Sequence, residues 1–432
     1  MILTVIISLI TVISMICVVI FKPYIKIGKV NVGLYYIICL LGAILILITS
    51  SLPLSVAISG ITAKTSINPL KILALFLSMT ILSVFLGDAG FFDYIANCII
   101  VNNKGGKIKL FLSLYFAVSL LTVFTSNDII ILTFTPPICI FCHKTRINPI
   151  PFLIGEFIGA NTWSMALIVG NPTNVYLATS FGITFTEYFL TMAVPTLVGG
   201  TVSLFILLLL FKNDLKGNIE RVEIKEKVAV KKVQMIFSLC LLIICIIFLA
   251  VSDFIGVPMW IICVISAIVD IIFNLLYELI KNKNAKSVYN VLKKAPYELV
   301  PFVLSMFVIV LALSYNNITD KLSSILIYGT KKDGVIFGVL SSVSANFLNN
   351  IPMSVLFEKI IGTTSRYALF GAIIGSNIGA FITPVGALAG IMWKKILSEN
   401  NVNLSVKSFI LYGIITAIPT VLLTSFSLLL FV

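Results

Sequence analysis

Two stretches of this chain place glycine, proline and asparagine where an apolar run ought to be unbroken. The first is Gly159–Asn174, GANTWSMALIVGNPTN, inside a segment long enough to cross a bilayer. A continuous membrane helix has no use for that mixture, because Pro172 removes a backbone donor and the glycines loosen the hydrogen-bond ladder. The second stretch is Gly375–Gly386, GSNIGAFITPVG. Gly159, Ala160, Asn161 and Gly170 correspond to Gly375, Ser376, Asn377 and Gly386 at a constant offset of 216 residues, half of the 432-residue chain. A kinked helix explains one such break. A polar break repeated at half-chain spacing predicts two discontinuous helices that meet at membrane depth, as a solute site between repeats requires.

The remaining composition agrees. The chain is 59% apolar and only 11% charged, where soluble domains carry roughly 25% charged residues. Repeated apolar runs of membrane length make it a polytopic membrane protein. The net charge of +13 does not call for nucleic acid, since the lysines sit in short loops between spans, where they set orientation. Eight cysteines are scattered singly; Cys139 and Cys142 have CxxC spacing, but the one histidine is His143, so they read as small apolar side chains and no metal is expected. Gly105-Gly106-Lys107 lacks the pattern of a phosphate-binding loop, and no cofactor motif is present. Energy must come from an ion gradient, the solute's own gradient or a separate subunit. His143 alone cannot serve a nucleophilic site, which argues against an enzyme. Met1–Ile20 lacks a basic leader and a cleavage site and reads as a retained first span.

The expected fold is an all-α polytopic membrane protein of two inverted repeats. The first, 1–211, has scaffold spans over about 1–88, an interfacial segment at Gly90–Val101, a re-entrant helical hairpin at 110–142, a broken helix at 151–180 and a span at Tyr188–Phe211. A charged linker, 212–232, follows. The second, 233–432, has scaffold spans over 233–316, a polar loop through Asp333, a hairpin at 334–361, a broken helix at 367–393 and a last span at 406–431. The first hairpin is read from length: about 33 residues fall short of the roughly 40 that two crossings need, and basic groups flank both ends. With the N-terminus outside, the loops at 22–29, 104–109, 144–146, 212–232, 281–294 and 394–407 are cytoplasmic. They hold all but seven of the 30 Lys and Arg residues; the exceptions are Lys64, Lys71, Lys321, Lys331, Lys332, Lys359 and Arg366. The two hairpins then enter from opposite faces.

The polar residues in these breaks are the candidate site. Asn127 and Asp128 stand at the first hairpin tip, Asn349 and Asn350 at the second; Phe124 and Asn127 match Phe347 and Asn350 at an offset of 223. Asp128 has two compatible roles, capping the helix that follows and offering a proton or cation site. Pro352 suits the start of the helix after the second tip. Asn161, Asn171, Thr173 and Asn174 supply amides and a hydroxyl in the first broken helix, and Gly170 a carbonyl. Asn377 and Thr383 do the same in the second, with Gly386 allowing close approach. Helix ends at such breaks aim N–H groups at one side of a ligand and carbonyls at the other. None of the four breaks carries Lys or Arg, which suits a small neutral hydroxylated solute or a cation, although free N–H groups also bind anions. Other intramembrane acids are Glu156, Asp270 and Glu358, with Asp88 near a span end. Glu156, five residues before Asn161, either lines an approach to the site or is packed. Trp163 is a packing residue or a substrate contact.

At these same residues the chain resembles the arsenite permease family, within the ion-transporter superfamily that also holds sodium/proton antiporters and dicarboxylate and citrate transporters. SNDIIILTFTPP (Ser126–Pro137), GANTWSMALIVGNPTN, NNIP (Asn349–Pro352) and GSNIGAFITPVGALAGIMW (Gly375–Trp393) carry the likeness. The resemblance implies one central site built from two tips and two broken spans. That site would ride in a domain that slides, elevator fashion, against a scaffold that often forms a homodimer. It implies export of arsenite or antimonite, by the proton-motive force alone or with a cytoplasmic ATPase subunit, in the inner membrane. Asn127, Asn161, Asn350 and Asn377 become the polar anchors and Asp128 the proton-linked position. Sodium against protons, or an organic anion, remains the alternative cargo.

Overall fold

The structure, a computed structural model, describes residues 1–22, 24–27, 30–63, 68–101, 103, 105–219, 229–362 and 365–430. Lys29, Lys64, Lys104, the middle of the linker (220–228) and Phe431 at the end of the last span lie outside them. The first half contains α1 (Ile2–Phe21), α2 (Leu34–Ile48), α3 (Leu54–Ile61), α4 (Pro69–Asp88), α5 (Phe91–Val101), α6 (Lys107–Phe124), α7 (Asn127–Thr145), α8 (Ile150–Trp163), α9 (Pro172–Ser180) and α10 (Phe185–Leu210). In the second half come α11 (Lys232–Ala250), α12 (Ser252–Ile255), α13 (Met259–Asn282), α14 (Lys286–Leu292), α15 (Leu299–Tyr315) and α16 (Ile318–Leu326). They are followed by α17 (Lys332–Leu348), α18 (Asn350–Ile361), α19 (Arg366–Gly379), α20 (Leu388–Glu399) and α21 (Val406–Ser427). Seven of the described helices are long and apolar enough to cross a bilayer, or up to eight if the bent pair α15–α16 counts as one span.

The halves match element by element and pack crosswise. α2 lies on α15 and α4 on α13; α7 packs on α20 as α18 packs on α9; α10 and α21 pack on each other. This is an inverted-repeat fold. Starts are set by local chemistry: Asn68 caps α4 by accepting from the N–H groups of Leu70 (2.9 Å) and Lys71 (3.2 Å), and Thr184 and Ser365 cap α10 and α19. Ile6 and Ile13 of α1, Ile243 and Ile247 of α11, and Ile268 and Ile272 of α13 stay exposed, as lipid-facing residues do.

Three details differ from the sequence reading. The loop after α1 contains a two-stranded antiparallel ribbon, β1 (Tyr24–Ile27) with β2 (Val30–Gly33), a small addition to an all-α fold. Helix α6 begins at Lys107, and its 18 residues are by themselves long enough to cross, because lysine stems at its first turn extend the apolar run. The polar loop before Asp333 contains the amphipathic α16, bent 79° from α15.

The tightest seam joins α17 to α19. A Cβ added at Gly371 would lie 2.2 Å from the Gly334 carbonyl, and one at Gly375 2.1 Å from that of Gly338. The second hairpin is therefore pressed backbone to backbone against the second broken helix.

Candidate functional site

In the first half, α8 stops at Trp163 and two short 3₁₀ turns, Ser164–Ala166 and Ile168–Gly170, lead to Asn171. The Asn171 side chain caps α9 by accepting from the Thr173 N–H at 3.2 Å, and Pro172 needs no acceptor at the first helical position. Gly170 serves close approach, since a Cβ there would stand 2.2 Å from the Ser164 carbonyl oxygen. In the second half, α19 stops at Gly379 and α20 starts at Leu388. Thr383 donates to Asn346 Oδ1 through its hydroxyl (2.7 Å) and its N–H (2.9 Å), and Asn346 Nδ2 donates to the Gly379 carbonyl at 3.0 Å. The break is thus held open by a side chain from the hairpin.

Asn377 joins the two broken helices. Its Nδ2 donates to Asn174 Oδ1 at 2.7 Å, and its Oδ1 accepts from Asn171 Nδ2 at 2.9 Å and Ser164 Oγ at 2.8 Å. Ser376 and Thr173 add a hydroxyl pair at 3.1 Å. Each hairpin tip docks on the broken helix of its own half. At the first tip Asn127 Nδ2 donates to Asn161 Oδ1 at 3.0 Å. At the second, Asn349 Nδ2 donates to the Val385 carbonyl and the Asn350 N–H to the Gly386 carbonyl, both at 3.0 Å. Asn349 adopts φ +70 to do so and caps α18. All these asparagines are buried.

The candidate residues Asn349, Asn350, Thr383 and Gly386 gather with Asn346 in one hydrogen-bonded set at the second break, in which Asn350 takes part through its backbone, and Asn127, Asn161, Asn171, Thr173, Asn174 and Asn377 form the main polar network. Gly170 is packed beside it. The network contains no charged side chain among the described residues. Asp128 does not cap α7: Ser126 holds the cap position without a side-chain bond, and Asp128 sits half-buried in the first turn. Trp163 packs on Gly200 and donates to Tyr115 Oη at 3.3 Å, so it belongs to the α6–α10 packing. Glu156 is buried beside Thr135. Asp270 lies with Ser238 and Asn274, Asp88 holds Lys231 and Lys294, and Glu358 pairs with Lys359; none of these joins the network. Ser164, Ser376 and Asn346 were not singled out from sequence. Ser376 occupies the place of Ala160 in the repeat and stood within the marked stretch Gly375–Gly386, whereas Asn346 lies about one turn before Asn349, just ahead of the marked hairpin tip.

A family model described as citrate transporter (CitMHS) matches residues 34–368. The arsenical pump membrane protein of Escherichia coli (strain K12) is 25% identical over 368 residues, covering 81% of this chain and 84% of that one. A 46 kDa membrane protein of Mycobacterium leprae (strain TN) is 23% identical over 376 residues, with 82% and 84% covered. Among solved structures, that of the Alcanivorax borkumensis YdaH transporter superposes with a TM-score of 0.57 at 13% identity, covering 99% of this chain and 97% of that one, a likeness of fold. A network of paired asparagines at two helix breaks, in an inverted-repeat membrane fold matched over most of its length, is the architecture of a secondary transporter. The chain belongs to the citrate-transporter (CitMHS) family of the ion-transporter superfamily.

Proposed function

We propose that this protein exports trivalent arsenic and antimony hydroxides from the cytoplasm, driven by protons moving inward. The observation that supports the reading best is at the first tip. Asn127 Oδ1 and Ser126 Oγ are buried, have no hydrogen-bond partner among the described residues, and stand beside Asp128. Buried polar oxygens left unpaired are costly, and a neutral hydroxylated solute brings O–H donors without demanding a counter-charge. Amide side chains add donors and acceptors for the same cargo. Asp128, in the first turn of α7, takes up and releases the coupled proton. The tips, broken helices, α10 and α21 form the carrying unit; α1, α2, α4, α11, α13 and α15 form the scaffold against which it slides, and a homodimer forms through that scaffold. The N-terminus is outside the inner membrane, and the linker 212–232 is where an ATPase subunit docks if one is used.

A second reading has its own support. Ser126 Oγ, Asn127 Oδ1 and the Asp128 carboxylate are oxygens of the kind a sodium ion takes, and the family model's description points to organic anions. Everted vesicles separate the readings. Arsenite accumulation that collapses with the proton gradient, with no response to sodium or dicarboxylates, supports export of arsenite. Accumulation of sodium or citrate instead replaces it.

A further inference from the structure

At the end of α4 remote from Asp88, a cavity of about 270 Å³ opens on the surface of the protein. Its walls come from both of the parts proposed to slide. On the scaffold side stand Lys71 of α4 and, from the connection between α11 and α13 and the start of α13, Ser252, Asp253 and Trp260. On the carrying side stands Ile183, in the turn between α9 and α10. Close by in sequence, the Thr186 hydroxyl of α10 donates to the Ala250 carbonyl at the end of α11 at 2.9 Å. The cavity therefore sits on the seam between the two parts.

Three polar groups on this cavity have no side-chain partner among the described residues. Lys71, half-buried in the first turn of α4, forms no ion pair; it is also one of the seven basic residues outside the loops assigned to the cytoplasm. Asp253 is exposed and forms none either. Ser252 is 3% exposed, and its Oγ is buried without a hydrogen bond. Leu75 and Met259 line the cavity with Ile183 and make that wall apolar. One cation, one anion and a buried hydroxyl above an apolar wall complement a molecule with one charge of each sign and a hydrocarbon tail. At a membrane surface that molecule is a zwitterionic phospholipid, whose phosphate suits Lys71 and the Ser252 hydroxyl and whose ammonium suits Asp253. Trp260, the second residue of α13, is of the type enriched at headgroup level. A purely anionic headgroup would meet the Asp253 carboxylate with no cation to answer it.

We propose that this cavity binds one phosphatidylethanolamine molecule, and that the bound lipid restrains the carrying unit against the scaffold. The site itself goes beyond the cargo reading; the restraint rests on the sliding arrangement proposed above.

The test purifies the full-length protein from vesicles of equal phosphatidylethanolamine and phosphatidylglycerol and counts the retained lipids by native mass spectrometry. Wild type should retain phosphatidylethanolamine. Lys71→Ala and Asp253→Ala should each retain about three- to fivefold less, the effect of losing one partly exposed charge pair. Asp253→Lys should reverse the preference and retain phosphatidylglycerol, a gain that misfolding cannot produce. Glycerophosphoethanolamine, the same headgroup without chains, should fail to displace the lipid. Equal retention of both lipids by wild type, an unchanged preference in Asp253→Lys, or displacement by the free headgroup would each overturn the proposal. So would a wild-type dimer that Asp253→Lys dissociates with no change in lipid, which would give the cavity to a second copy of the chain. In transport, Asp253→Lys should take up arsenite faster than wild type in phosphatidylethanolamine vesicles and slower in phosphatidylglycerol vesicles. Rates that do not cross in this way overturn the restraint. No arsenite uptake by wild type in either vesicle rejects the cargo, and the retained lipid still decides the site.

Discussion

Asn377 commits both ends of its amide to the other half of the chain, which makes it the most exposed single point of failure. Asn377→Ala strands Asn174 Oδ1 and Asn171 Nδ2 in a buried setting. Each buried polar group left unpaired costs about 1–3 kcal/mol. The expected result is a lower melting temperature in detergent and a loss of transport of about tenfold or more, tenfold being roughly 1.4 kcal/mol; thermal unfolding and vesicle uptake measured together check it. Asp128→Asn keeps the shape of the side chain in the first turn of α7 but has no exchangeable carboxyl proton. Solute exchange should persist and proton-driven accumulation should disappear. A variant that accumulates arsenite as well as wild type would remove Asp128 from coupling.

At the level of elements, the α17–α19 seam is the least forgiving. Its glycines let two backbones touch, as small residues do in membrane helix packing. Gly371→Ala would drive a methyl group to 2.2 Å from the Gly334 carbonyl, an overlap that only separation of the helices can relieve. That separation would carry Asn346 away from Thr383 and disturb the second break. Gly371→Ala should therefore lose its monodisperse peak in gel filtration. At Gly87 of α4 the nearest atom to an added Cβ is Phe92 Cδ2 at 3.4 Å, so Gly87→Ala should purify normally and gain up to about 1 kcal/mol of helix propensity.

For the whole molecule, the proposed sliding motion makes a prediction about the contact between α15 and α18. Lys359 Nζ of the second hairpin lies 5.9 Å from the centre of the Phe307 ring on α15. Cysteines placed at both positions, in a background without the eight native ones, should be bridged by a short bifunctional thiol reagent. Bridging should stop transport while solute binding persists, and transport that survives complete bridging would rule out movement between these helices. The linker joins the same two parts. Its start bonds to α6 and the loop before α8, through Gly217 to the Lys107 N–H at 3.1 Å and Asp214 to Asn148 Nδ2 at 3.0 Å. Its end bonds to α4, where Lys231 and Lys294 both reach Asp88. These ion pairs are partly solvent-exposed, so Asp88→Asn should cost no more than about 1 kcal/mol, and less at high salt.

Hydropathy alone established a membrane protein, and the offset of 216 residues between Asn161 and Asn377 established that its polar break is made twice. Both were readable in one dimension because helix breakers and apolar run lengths act locally. The order of the long helices followed for the same reason, whereas the short helices α3, α12, α14 and α16 and the β1–β2 ribbon lie between spans, in stretches with no period long enough to betray them. Which groups the asparagines bond was decided only in three dimensions. Asn377 finds Asn171, Asn174 and Ser164 more than 200 residues away, and Asn350 joins through its backbone although its side chain was the feature noticed. Hydrogen bonding depends on angle and on who else competes for each proton, and neither is fixed until the halves have folded against each other. That is also why Asp128 could be singled out as an intramembrane acid from composition, whereas the seating of Glu156 against Thr135 emerged only once α8 was packed on α7.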